Sequence, residues 1–259
     1  MSQIIESGYC ADYLISILIS LFYNTYGNNS MLLYTETNNP NTIYIQEMIM
    51  MKFIDPLHHN RMIEAKTINR LRMVLYNAGW LHQEGILARA SVIDFYTFLV
   101  SNLLNYNLEF SIVDMNKNET ILRTVRYIEL DDTLISDGNI SNGIINWLKT
   151  NFKNDVIYSF KEVPQMIPVS IDSKQPVDLM ESIQFGLIGD KLQKLLMWDI
   201  KSIICLDEKG YYSLVRNRDD WYYYRDGDIP SNHIISLNDR ETVDKIRMEI
   251  KLCFYWGNF

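Results

Sequence analysis

From Asp12 onward, Leu14, Ile17, Leu18, Leu21 and Phe22 recur at three- and four-residue steps, and Ile15 and Ile19 widen the apolar stripe. This pattern predicts a buried helix, ended by the turn formers of Asn24 to Asn29, with Asn38, Asn39 and Pro40 marking a further loop. Between Ile43 and Tyr76 the period is again helical, with Ile63, Ile68, Leu71, Val74 and Leu75 on one face and Arg70 and Arg72 on the other. Ala90 to Leu104 predicts another buried helix through Ile93, Phe95, Phe98, Leu99 and Leu103. The first hundred or so residues therefore read as mostly helical.

After Asn105 the pattern changes to short β-rich runs: LEFSIVDM, ETILRTVRYIEL, DVIYSF, MIPVSID, IKSIICL, YYSLV, WYYY and IKLCFYW. Ser182 to Trp198 interrupts them and reads either as a helix or as an irregular excursion. With no repeat, no low-complexity tract and no Pro- or Ser-rich linker, the expectation is one α+β domain over residues 1–259. Its N-terminal helical lobe covers about 1–105, and an antiparallel β-sheet lobe follows over about 106–259.

A length of 259 residues with 47% hydrophobic content is ample for a real core. The formal net charge of −8 argues against a backbone-binding nucleic-acid protein, which needs clustered Lys and Arg to displace counterions. Only Cys10, Cys205 and Cys253 carry thiols, too few and too widely spaced for a disulfide framework or a zinc site, which points to a reducing, cytoplasmic setting. Tyr13 to Tyr23 is about half the ~20 residues a membrane span needs. Heavy use of Asn, Ile, Lys and Tyr resembles an AT-rich coding sequence of the kind found in large DNA viruses.

His58 and His59 follow Pro56 in a turn, His82 follows Trp80, and His233 lies in a polar turn beyond Pro230, none at metal-ligand spacing. No Gly-rich phosphate loop occurs, so neither metal nor cofactor is expected. The run Trp221-Tyr222-Tyr223-Tyr224 reads as a strand with two aromatics entering the core and two facing out, in preference to a stacking platform. Arg216, Arg218, Asp219 and Asp220 form a mixed-charge hairpin tip.

Four segments, in order, resemble the papain-like fold of ubiquitin-specific proteases. DYLISILISLF (12–22) looks like the cysteine box, IDFYTFL (93–99) like the helix of the glutamine-aspartate box, and VPQMIPVSID (163–172) like the strand in which Leu-Pro precedes aliphatic residues. IKSIICLDEKGYYSLVRNRDDWYYYRD (200–226) looks like the histidine box, and KLCFY (251–255) takes the place of the closing strand. The family's zinc-binding fingers have no paired cysteines to match.

A cysteine protease needs a thiolate at a helix N-terminus, a histidine base and a polar group to orient that histidine. Aligning the helix through Tyr13, Ser16, Leu18, Leu21 and Phe22 puts Asp12 at the nucleophile position, with Cys10 an alternative nucleophile two residues upstream. Gly210-Tyr211-Tyr212 stands where Gly-His-Tyr is expected, and Arg225, four after Trp221, stands where the family has Asn or Asp. A phenol is protonated at neutral pH and is no ordinary base, while a guanidinium would oppose a developing imidazolium. The oxyanion-stabilising Asn of the family has no clear counterpart in Glu6-Ser7-Gly8-Tyr9.

The resemblance, read with these replacements, implies a catalytically degenerate protease-like protein that acts by binding or as a structural part of a complex or virion. No catalytic residue is expected; Asp12, Tyr211 and Arg225 are expected to form a carboxylate, phenol and guanidinium network filling the former cleft. Trp221, Tyr224, Asp226 and Asp228 are the expected binding residues, with ubiquitin, a ubiquitin-like modifier or another viral protein as partner. The competing reading is an active deubiquitinase or viral cysteine protease using Cys10, with a Cys10–His233 dyad as one form of it. The expected location is the cytoplasm, of the host cell if the protein is viral, or the virion.

Overall fold

The computed structural model of the chain describes residues 10–23, 39–59, 61–104, 106–114, 119–152, 156–188, 193–226, 234–235 and 239–257. The helices are α1 (Asp12–Phe22), α2 (Pro40–Ile49), a π-helical turn (Met50–Ile54), α3 (Asp55–His58), α4 (Ala65–Asn77), α5 (Val92–Asn102), α6 (Ile140–Asn151) and α7 (Arg240–Glu249). Strands β1 (Leu108–Asp114), β2 (Glu119–Val125), β3 (Ile128–Asp131), β4 (Val156–Phe160), β5 (Met166–Asp172) and β6 (Ser182–Ile188) come before β7 (Gln193–Asp207). β8 (Gly210–Asn217), β9 (Asp220–Arg225), β10 (Ile234–Ile235) and β11 (Ile250–Gly257) complete the set. The α+β class is as expected from the sequence. By contacts the chain divides into two units, Met1–Tyr106 with Ile204–Leu237, and Asn107–Ile203 with Asn238–Phe259.

In the first unit, α1 is buried around its whole circumference: Tyr13 through Phe22 are all buried, Ser16 and Ser20 included. Tyr13 stacks edge-on against Phe95 at 5.4 Å between ring centroids and accepts a hydrogen bond from Trp80 Nε1 at 3.0 Å. Ser213 of β8 donates its Oγ–H to the Ser16 carbonyl at 3.0 Å, tying hairpin to helix. α5 starts where the Ser91 hydroxyl accepts the Ile93 and Asp94 N–H groups, a side-chain N-cap.

Two expectations fail here. Arg72 is not on a solvent face: it is 2% exposed, and its Nη2 donates to the Ile86 carbonyl at 2.7 Å. A long cation can occupy a core position when its head reaches a carbonyl, which polarity alone does not reveal. The four aromatics of β9 also break the strict in–out alternation, because Trp221 and Tyr224 are the buried pair and lie on opposite strand faces. Tyr222 and Tyr224 face the ring of Tyr23, at 6.4 and 5.2 Å, while Tyr223 sits on the other face against Tyr212 at 5.2 Å.

The second unit holds the antiparallel sheet β2-β1-β4, which buries Phe110 among Trp147, Phe152 and Phe160. β11 pairs antiparallel with β5, whereas β3 pairs with β5 in parallel. The run ETILRTVRYIEL is two strands, not one: it breaks at Arg126-Tyr127 and its halves join different sheets. The described residues of Ser182 to Trp198 are neither helical nor irregular: β6 pairs antiparallel with the start of β7, so that Ile183 faces Trp198 and Phe185 faces Leu196. These four are buried while Gln184 and Met197 are exposed, the two-residue period of a half-buried strand. Among the described residues no helix is long and apolar enough to cross a membrane.

Candidate functional site

Asp12 and Tyr211, the residues expected at the cysteine-box and histidine-box positions, meet within the first unit. Asp12 occupies the first turn of α1, where the helix dipole favours a carboxylate. Its Oδ2 reaches instead to β8 and accepts the backbone N–H of Tyr211 at 2.8 Å. Gly210, one residue earlier, has φ +122°, and a Cβ there would lie 2.5 Å from the same oxygen. The carboxylate thus rests on the start of β8 only because residue 210 has no side chain.

Tyr211 extends its phenol toward α5, where Ser91 and the Val92 backbone meet it. Burial raises its pKa above the ordinary phenol value, and these polar contacts offset only part of that rise. At neutral pH the group is therefore a neutral hydroxyl.

Arg225 belongs to a different pair. Its Nη1 and Nη2 donate to Asp207 Oδ1 and Oδ2 at 2.9 and 2.5 Å, and its Nε donates to the Tyr223 hydroxyl at 2.5 Å. The guanidinium lies over the Tyr212 and Tyr223 rings at 5.0 and 5.8 Å, and the two paired side chains are only 9% and 12% exposed. Burial works against the charge, but the hydrogen bonds that Arg225 donates to Asp207 and Tyr223 outweigh it and raise the pKa further, so Arg225 is permanently charged.

The expected network of Asp12, Tyr211 and Arg225 is therefore split. Asp12 binds the Tyr211 backbone and not its phenol, and Asp207 receives the guanidinium. Asp207 is the residue that sequence reasoning missed. Its signal is the turn Asp207-Glu208-Lys209-Gly210, in which Asp207 Oδ1 also accepts the Lys209 N–H at 2.8 Å, facing a strand that carries a cation.

Cys10 stands two residues before Asp12 with φ +52°, half-buried, its thiol free. Cys205 and Cys253 are buried. His58 is at the end of α3 with Nε2 against the Phe22 carbonyl at 2.7 Å, and His59 Nδ1 meets the Asp55 carbonyl at 2.8 Å. His233 lies outside the described residues. Of the expected binding residues, Trp221 and Tyr224 are buried, with burial and the neighbouring Tyr23 pushing the Tyr224 pKa far up. Asp226 is half-buried in the turn after β9, and Asp228 lies outside the described residues.

The chain has the α+β fold of the ubiquitin-specific proteases. A chain of the SAGA DUB module Ubp8/Sgf11/Sus1/Sgf73 bound to monoubiquitin, in which Ubp8 carries a cysteine-to-alanine change, superposes with a TM-score of 0.60 at 14% identity. That match covers 100% of this chain and 69% of the other. A chain of the Ubp8-Sgf11-Sgf73-Sus1 SAGA DUB module superposes at 0.57, also at 14% identity, over 100% and 68%. No protein-family profile and no curated protein matches the sequence.

Proposed function

We propose that this protein is a non-catalytic, protein-binding or complex-forming member of the ubiquitin-specific-protease-like fold, with its triad positions turned to structural use. The observation that carries this reading is the Asp12 carboxylate, the residue that the sequence resemblance aligns with the nucleophile, which is engaged by the Tyr211 N–H against a side-chain-free Gly210. A carboxylate so held is a weak acyl-transfer nucleophile, and neither the neutral phenol of Tyr211 nor the charged guanidinium of Arg225 can act as the general base that a cysteine-type mechanism takes from histidine. Loss of chemistry leaves the fold as a docking scaffold.

Ubiquitin is the first partner to test, because one structural neighbour is bound to monoubiquitin. A ubiquitin-like modifier or another viral protein is the alternative, in the cytoplasm or in a particle of a large DNA virus. Retention in purified particles after a high-salt wash would support the structural form of this reading.

A second reading has its own observation: the half-exposed Cys10 thiol two residues before α1, beside a helix N-terminus of the kind at which reactive thiolates are found. On that reading the protein is a divergent cysteine-type deubiquitinase. Incubation with a ubiquitin probe carrying a thiol-reactive C-terminus separates the two. The non-catalytic reading expects no covalent adduct and reversible binding of unmodified ubiquitin or another partner. An adduct that disappears in Cys10→Ala would overturn it.

A further inference from the structure

We propose that the groove between α2, the π-turn and α4 is a docking site for an acidic peptide segment of a partner protein, one presenting an apolar side chain flanked by carboxylates. α2, the π-turn and α3 run without interruption from Pro40 to His58. Near the end of this stretch Pro56 offers no N–H, and the preceding turn is wide, with the Asp55 N–H bonded to the Met50 carbonyl five residues back. Beside that turn lies a concavity of about 550 Å³, within the usual size of ligand pockets.

Its walls combine two kinds of group. Tyr44, Met48 and Met51 are apolar, and Met51, at 65%, is the most exposed large hydrophobic side chain among the described residues. Lys52, Lys66 and Arg70 supply positive charge, against Glu47 in the lining and Glu64, which meets Lys66 from the edge. Set against Glu47 and Glu64, the three cations leave a surplus of one positive charge, on a chain with 24 basic and 32 acidic residues. Among the described residues neither Lys52 nor Arg70 has an ion-pair partner, and Arg70 Nη2 donates to the Tyr44 hydroxyl at 2.9 Å, which fixes the guanidinium over the groove.

A lining that combines apolar and basic side chains complements an apolar anchor with acidic flanks, and buried anchors supply most of the affinity at such surfaces. Flexible Met side chains suit a groove that must fit an irregular segment. An anionic membrane is the weaker match, because three cations around a concavity do not make the broad basic face that membrane docking needs. The proposal is independent of how Asp12 and Cys10 are read.

The test uses the purified full chain and arrays of short fluorescein-labelled peptides with a central Leu, Met or Phe flanked by Asp and Glu. Matched arrays carry Lys or Ser flanks, and phosphatidylserine vesicles are run in parallel. Acidic-flanked peptides should bind, weaken with added salt, and lose about tenfold or more in affinity with K52E/R70E and with Met51→Ser. All three positions are exposed, so melting temperatures should match the parent protein. Equal binding of Lys-flanked peptides, acidic binding that survives both variants, or no retained acidic peptide would overturn the proposal. So would capture of the vesicles alone.

Discussion

At the scale of single residues, the closest fit in the candidate site is between Gly210 and Asp12. An alanine at 210 would hold a left-handed φ of +122° and press its methyl against the Asp12 carboxylate. Backbone strain of this kind costs about 1–3 kcal/mol. Gly210→Ala should therefore lower stability by at least that amount in urea unfolding, and the part due to the clash should vanish when the carboxylate is absent. In an Asp12→Ala background the same change should cost about 0.5–3 kcal/mol less. Strict additivity of the two substitutions would mean that the carboxylate does not rest on Gly210. The Gly is visible in the sequence as the first residue of the Gly-x-Tyr step, but what it accommodates is not, because Asp12 is 199 positions away from the N–H it accepts. Arg225 illustrates the same limit: the cation is evident, while its partner Asp207 is chosen by the register of β8 on β9, which puts Arg225 opposite Tyr212.

At the scale of elements, legibility follows whether the apolar period is unbroken. α1 and α5 were readable because their apolar steps are regular and both are well buried. α6 escaped because Asn and Lys dilute a pattern carried by Ile140, Ile144, Trp147 and Leu148, although Asn139 caps it through the Asn142 N–H at 3.1 Å. α7 buries only Ile246 among its ten residues and is polar along most of its length, so it offers little apolar content to be read as a buried helix. The pairing of β6 with β7 was obscured because the apolar runs of the two strands follow one another closely enough to read as one segment. α6 also carries a prediction opposite to helix propensity. Gly143→Ala would ordinarily stabilise a helix by about 1 kcal/mol. Here a Cβ would overlap the Ile135 side chain and crowd Leu130, so overpacking of about 1–3 kcal/mol should dominate and the melting temperature should fall. In an Ile135→Ala background, which removes the Cγ2 methyl that the new Cβ would meet, Gly143→Ala should cost less than it does alone; a rise in melting temperature from Gly143→Ala alone would show that the packing there is loose.

At the scale of the whole chain, the 17 tyrosines make stability sensitive to alkali. Burial raises the pKa of Tyr96 in the first unit and of Tyr255 in the second well above the ordinary phenol value, and Tyr255 also donates its hydroxyl proton to the Met180 carbonyl at 3.2 Å. A phenol whose pKa is raised on folding contributes stability that is complete below its unfolded value near ~10 and is lost as pH rises through and beyond it. Between about pH 10 and the raised folded value, each such phenol should subtract up to about 1.4 kcal/mol per pH unit. Urea unfolding should therefore give a nearly constant free energy from about pH 7 to 9 and a steep decline above about 10. Tyrosinate absorbance should reach its full amplitude only as the chain unfolds. Tyr96→Phe and Tyr255→Phe each remove one ionisable hydroxyl and should each flatten the decline, in the transition of the unit that holds the residue. An unchanged alkaline slope in both variants would show that these phenols ionise within the folded protein, which requires water to reach two rings that are otherwise fully enclosed.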